Sequence, residues 1–122
     1  MIPKRRQRER MGVREDPRID CPGHRQWVRG MTCTVADADG ANCDGKIQFA
    51  HVRAGTDGSL SKKPSDCWGI PLCAHHHIPV QHQIGEPAFE RRFGIDMKAI
   101  ASKLWSISPH RITYERKQRD KR

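Results

Sequence analysis

Thiols and imidazoles crowd the middle of this chain: Cys33, Cys43, a lone His51 in the segment FAHVR, Cys73, then His75, His76 and His77 in a row, and His82. Thiolate sulfur and imidazole nitrogen are the donors that zinc takes. A histidine standing apart suits proton transfer, because the ordinary imidazole pKa near 6.5 leaves a neutral acceptor at cellular pH. The order of these residues predicts two sites of different kinds. In the first, Cys33, Cys43, Cys73 and His76 form a closed tetrahedral Cys₃His zinc site, clamping the loop before a strand onto the start of a helix. The spacing between Cys33 and Cys43 is wider than that of a tight zinc knuckle, and Cys21 with His24 is a competing half-site. Cys21 and Cys67 otherwise read as buried free thiols.

A staple is needed on compositional grounds. The 122 residues are 35% hydrophobic and 6% aromatic, enough for one small domain with a modest core. Five cysteines cannot all pair within one chain. The start, MIPKRRQRERMG, is polar and basic rather than signal-like, and no run is long and apolar enough for a membrane span. The expectation is a cytoplasmic, reduced protein that uses cysteine for metal and meets no membrane.

Charge points to the partner. The net charge is +9, and residues 1–18 and 110–122 each contribute +4, leaving +1 for residues 19–109. Basic ends on a near-neutral body suit a polyanion gripped through its phosphates, most simply nucleic acid.

Several elements must position these groups. Residues 1–20, broken by Pro3 and Pro17, read as a flexible basic arm, 21–109 as the zinc-binding domain, and 110–122 as a basic tail. HRQWVRGM (24–31) is a short helix or an extended lead-in, with Trp27 and Val28 inward. The Asp-, Asn- and Gly-rich stretch 36–45 is a turn composition. KIQFAHV (46–52) alternates as a strand, 53–66 is a loop, and CWGIPLC (67–73) is a second short strand. Pro79 and Pro87 each suit a first helical position. EPAFERRFG (86–94) reads as a helix stopped by Gly94, and Asp96 caps a helix over 97–107 with Ile100, Leu104 and Ile107 as its core stripe. Trp68, Phe89, Phe93 and Trp105 are assigned to the core.

Taken in order, HRQWVRGMTC, IQFAHVRAGTDG, KPSDCWGIPLCAHHH, QHQIGEPAFERRFGID and SPH resemble the HNH, or ββα-metal (His-Me finger), endonucleases. The likeness covers roughly residues 24–109 and is nearest to small prophage and bacterial nucleases related in pattern to the phage recombination-enhancement nuclease. It implies a small α+β fold: a ββα-metal finger of two short antiparallel strands plus a helix, with structural zinc and additional C-terminal helices. His51 would be the general base. His77, then His82, would hold a catalytic divalent cation (Mg²⁺, Mn²⁺, Ni²⁺ or Zn²⁺), with Asp66 as metal ligand, as loop tie through backbone N–H groups, or as plain turn chemistry.

Two features depart from the family pattern. Ala50 stands where many relatives carry a metal ligand. His77 and His82 lie five apart, which on a regular helix rotates them about 140° from each other, so which of His75, His76 and His77 serves which ion stays open. Arg53, Lys62 and Lys63 are candidate phosphate contacts. The resemblance further implies hydrolysis of DNA to 5′-phosphate and 3′-hydroxyl ends in a phage or prophage setting, alongside recombination proteins. Ala50 and the histidine spacing favour an alternative, a catalytically inactive zinc-stapled nucleic-acid-binding module. A third reading is a zinc-dependent adaptor that binds acidic protein.

Overall fold

The protein is described by a computed structural model that covers residues 18–38, 42–58 and 62–121. The arm expected over residues 1–20 therefore lies outside the described residues except for its last three. Those three are built into the body. Arg18 Nε donates to the Pro64 carbonyl at 2.9 Å, and the Ile19 N–H donates to Ser65 Oγ at 2.8 Å.

Helix α1 (Pro22–Arg29) follows at once, with proline in its first turn, and it ends where the Gly30 N–H returns to the Trp27 carbonyl. It buries His24 and Val28. Strands β1 (Ile47–His51) and β2 (Gly69–Cys73) pair antiparallel, with Phe49 opposite Pro71 and His51 opposite Gly69. Every residue of β2 is buried, which explains its continuous apolar run. Glycine is required at position 69, because a Cβ there would stand 2.0 Å from the Phe49 ring.

β1 alternates and divides its residues between two sides. Phe49 turns toward α1, its ring 5.9 Å from that of His24. Ala50 and Val52 enter the main core with Ile70, Leu72, Phe89, Met97 and Ala101. Ala50 is fully buried there. A charged side chain at that position would face apolar neighbours and carry the desolvation cost of a buried ion, so alanine there has a packing reason.

The chain leaves β2 through a π-helical turn (His76–Gln81) containing Pro79, then a single α-turn, α2 (His82–Ile84). Helix α3 (Glu86–Phe93) ends at Gly94, which adopts a left-handed φ of +64°. Helix α4 (Met97–Ile107) is capped as expected by Asp96, whose carboxylate accepts the Ala99 N–H at 3.1 Å. Its buried stripe is Met97 and Ala101, flanked by the partly buried Ile100; Ile107 is 57% exposed and lies outside the core. The expected stripe was thus displaced toward the N-terminal half of the helix.

Residues 110–122 were expected to form a tail, but helix α5 (Pro109–Asp120) occupies most of them. Ser108 Oγ caps it by accepting the His110 N–H at 3.1 Å, and Pro109 takes the first turn. Ser108 Oγ also meets His24 Nδ1 at 2.9 Å, which joins α5 to α1. The result is a small α+β fold, with a two-stranded sheet between α1 and the later helices.

Candidate metal centre and adjoining cavity

Cys33, Cys43, Cys73 and His76 converge as the sequence predicted, with one donor atom from each lying within 4.8 Å of the others. His76 Nδ1 stands 3.7 Å from Cys33 Sγ, 3.7 Å from Cys43 Sγ and 3.1 Å from Cys73 Sγ. In tetrahedral zinc, with bonds of about 2.3 Å to sulfur and 2.0 Å to nitrogen, sulfur and nitrogen are about 3.5 Å apart. The observed separations fit that geometry. Cys73 ends β2 and His76 opens the π turn, so one short junction supplies two donors. The lead-in loop supplies the others, and the His75 N–H donating to the Asp44 carbonyl at 3.0 Å holds it in place. Desolvation first, then contact with Cys33 and Cys73, pushes the Cys43 thiol up to about 12. Thiols this crowded cannot ionise together unless a cation balances their charge.

His77 takes a different direction from His76. Its ring stands 4.7 Å from that of His82, edge to face. Five residues close one turn of a π helix through an i→i+5 hydrogen bond, here from the His82 N–H to the His77 carbonyl. The spacing that would separate the two rings on an α-helix therefore brings them together. Gln48 Oε1 accepts from His77 Nδ1 at 2.8 Å, which leaves Nε2 with its lone pair. Burial, followed by the charges of His82 and His51, lowers the His77 pKa to about 4, so the ring is neutral at cellular pH. His75 joins neither group; its ring stands against that of His76 at 5.0 Å.

His51 ends β1 and lines a cavity of about 490 Å³ together with Arg53, Gln81, His82 and Glu86. Glu86 shapes one wall by accepting the Arg53 and Ala54 N–H groups at 2.8 and 2.9 Å. Gln81 is buried, and its Oε1 has no hydrogen-bond partner among the described residues. Arg53, Lys62 and Lys63 are exposed, and Arg53 Nη1 donates to the Lys62 carbonyl at 3.2 Å.

Asp66 does not join His77 and His82. Its carboxylate is fully buried and already accepts four donors. Oδ1 takes Arg18 Nη2 and His51 Nε2, both at 2.9 Å; Oδ2 takes the Cys21 N–H at 2.8 Å and Arg25 Nη1. Burial alone would raise its pKa, but His51, the Cys21 N–H and Arg25 outweigh burial and hold it at about 2. The metal-ligand expectation for Asp66 is replaced by an ionised carboxylate that serves its own neighbours. Among the described residues, the Cys₃His set is the one group of three or more such donors close enough to share an ion.

Sequence reasoning did not find Gln48, Glu86, Gln81, Arg18 or Arg25. Only the strand alternation, which puts Gln48 two residues from Ala50 on the same side, carried a usable signal.

No protein-family model, no curated protein and no solved structure matches this chain.

Proposed function

We propose that this protein is a zinc-stapled, HNH-type endonuclease that hydrolyses DNA phosphodiester bonds with the help of a divalent cation. The observation that carries the reading is the shared cavity. His51 and His82 line it, and His77 packs against His82. Two imidazoles at one opening, the second packed against the neutral ring of His77, are the parts that base-assisted, metal-assisted hydrolysis needs.

His51 takes a proton from a water at the phosphodiester. The water oxygen forms the new bond to phosphorus, and the bond to the 3′ oxygen breaks. His77 and His82 would hold the cation through imidazole nitrogen, with Gln48 fixing the His77 ring. When bound, the cation supplies charge stabilisation for the phosphate and the departing oxygen. The cavity is open and roomy enough for a backbone segment. Exposed Arg53, Lys62 and Lys63 and the basic helix α5 supply sequence-indifferent attraction for phosphate. Cys33, Cys43, Cys73 and His76 would hold zinc as a structural clamp, which keeps the π turn next to the sheet.

A second reading, a zinc-stapled DNA-binding module without catalysis, is favoured by Asp66. With that carboxylate spoken for, the cation rests on two histidines among the described residues. Supercoiled plasmid incubated with Mg²⁺, Mn²⁺ or Ni²⁺ separates the two. Nicking by the wild type that disappears in His51→Ala, with zinc content unchanged, is the expected result. Salt-sensitive DNA retention without nicking would leave only the binding module.

A further inference from the structure

We propose that Asp66 is the positioning residue for His51, fixing both the tautomer and the rotamer of the ring so that Nδ1 is the proton acceptor. The inference rests on the reading of His51 as base and names the device that makes it one. A buried carboxylate that already accepts from Arg18, Arg25 and the Cys21 N–H is ionised and has no hydrogen to give. Nε2 of His51, 2.9 Å from Asp66 Oδ1, must therefore carry the hydrogen, and a neutral ring then keeps its lone pair on Nδ1. The edge-to-face contact with Phe49, centroids 5.0 Å apart, blocks one side of the ring.

The carboxylate is itself immobilised. Its own N–H donates to the Ile19 carbonyl at 2.9 Å, and Arg18 spans from Asp66 to the Pro64 carbonyl. Arg25 and the Cys21 N–H close the other oxygen. During hydrolysis the water proton moves to His51 Nδ1, while Nε2–H stays on the ring and Asp66 stays ionised beside the imidazolium. No proton reaches the carboxylate, because two guanidinium groups already balance it.

The sharpest test is Asp66→Asn, because the amide must turn its NH₂ group toward one pair of donors. The Cys21 N–H is fixed backbone and can only donate, so the amide oxygen stays there. The NH₂ then faces His51, and the ring must accept at Nε2 and carry its hydrogen on Nδ1. The imidazole tautomer of the zinc-loaded full chain can be read from its ¹⁵N shifts at a pH of about 8, above the usual imidazole titration. The expected result is Nε2–H in the wild type and Nδ1–H in the variant. For plasmid nicking, kcat falls by about a hundredfold or more, with KM for DNA changed less than about twofold.

Nicking lost in His51→Ala but intact in Asp66→Asn would overturn the positioning role while leaving the base assignment standing. Nicking intact in His51→Ala would instead remove the base assignment. If Asp66→Asn loses zinc or cooperative melting, the wild-type ring still decides: Nδ1–H there overturns the proposal, and Nε2–H supports it.

Discussion

The rings of His77 and His82 meet at 4.7 Å because the backbone between them is wound as a π turn. Insertion of one residue into an α-helix leaves an i→i+5 turn, and such turns recur at functional sites. The inserted residue explains how a five-residue spacing, which would separate the two rings on an α-helix, keeps the pair together. If this pair holds the catalytic cation, His77→Ala and His82→Ala should each weaken Mn²⁺ binding by at least about tenfold, roughly one imidazole ligand's worth. Calorimetric titration of zinc-loaded protein would measure this. Zinc content should stay constant in both variants, since neither residue belongs to the Cys₃His set. Unchanged Mn²⁺ affinity in both would remove the pair from the mechanism.

Zinc at the Cys₃His cluster predicts a linked loss of metal and stability. Cys43→Ser should lower zinc stoichiometry and cost more than about 3 kcal/mol, because the binding free energy of a structural zinc is folding free energy. For a body of this size that is a fall in Tm of about 10 °C or more. Cys67→Ser serves as control: Cys67 lies outside the cluster, so zinc content should not move. Metal analysis alongside thermal melting checks both variants, and normal zinc in Cys43→Ser would exclude that residue as a ligand.

The two strands, the Asp96 cap and the four residues of the Cys₃His cluster were legible in the sequence because each signal is local or chemically narrow. Alternation marks β1, a short apolar run marks β2, a carboxylate before an apolar stripe marks a helix start, and Cys₃His has few other uses. The π turn was not legible, since periodicity reasoning assumes the α-helical repeat and Pro79 reads as a helix start rather than an insertion. Nor was the environment of Asp66. Its partners Arg18, Cys21 and Arg25 lie 48, 45 and 41 residues away, and Arg18 sits in what reads as a free arm. Helix α5 did have a sequence signal, Ser108 followed by Pro109, which is a cap and first-turn pair. The density of charge after it masked that signal.

His24 gives the fold an acid-sensitive joint. It is fully buried, its Nε2 has no hydrogen-bond partner among the described residues, and burial lowers its pKa to about 4, opposed by the charge of Asp66 and reinforced by that of His110. The unfolded chain binds this proton near pH 6.5 and the folded chain does not until about pH 4. Stability from this group is therefore complete above pH 6.5, declines as pH falls toward 4, and changes no further below that. Between pH 7 and pH 5 the loss is about 2 kcal/mol. His24→Asn retains a polar atom near the Nδ1 position facing Ser108 but does not titrate. Urea melts of zinc-loaded protein at both pH values should show the wild type losing about 2 kcal/mol more than the variant. Equal losses would show that the ring is not held neutral.

If the chain grips DNA as proposed, helix α5 sets the salt dependence of that binding. Its exposed Arg116, Lys117 and Arg119 lie on an element that buries no residue, so their replacement should not disturb the core. Each cation that neutralises a phosphate contributes about 0.9 to the slope of log K against log salt. Replacing all three by Gln should reduce the magnitude of that slope by about 2 to 3 and weaken retention equally for unrelated sequences. Fluorescence anisotropy across a salt series, with the melting temperature as control for folding, provides the measurement. A slope that does not change would move the DNA grip off α5, leaving the exposed bases near the cavity, Arg53, Lys62 and Lys63, as the next surface to test.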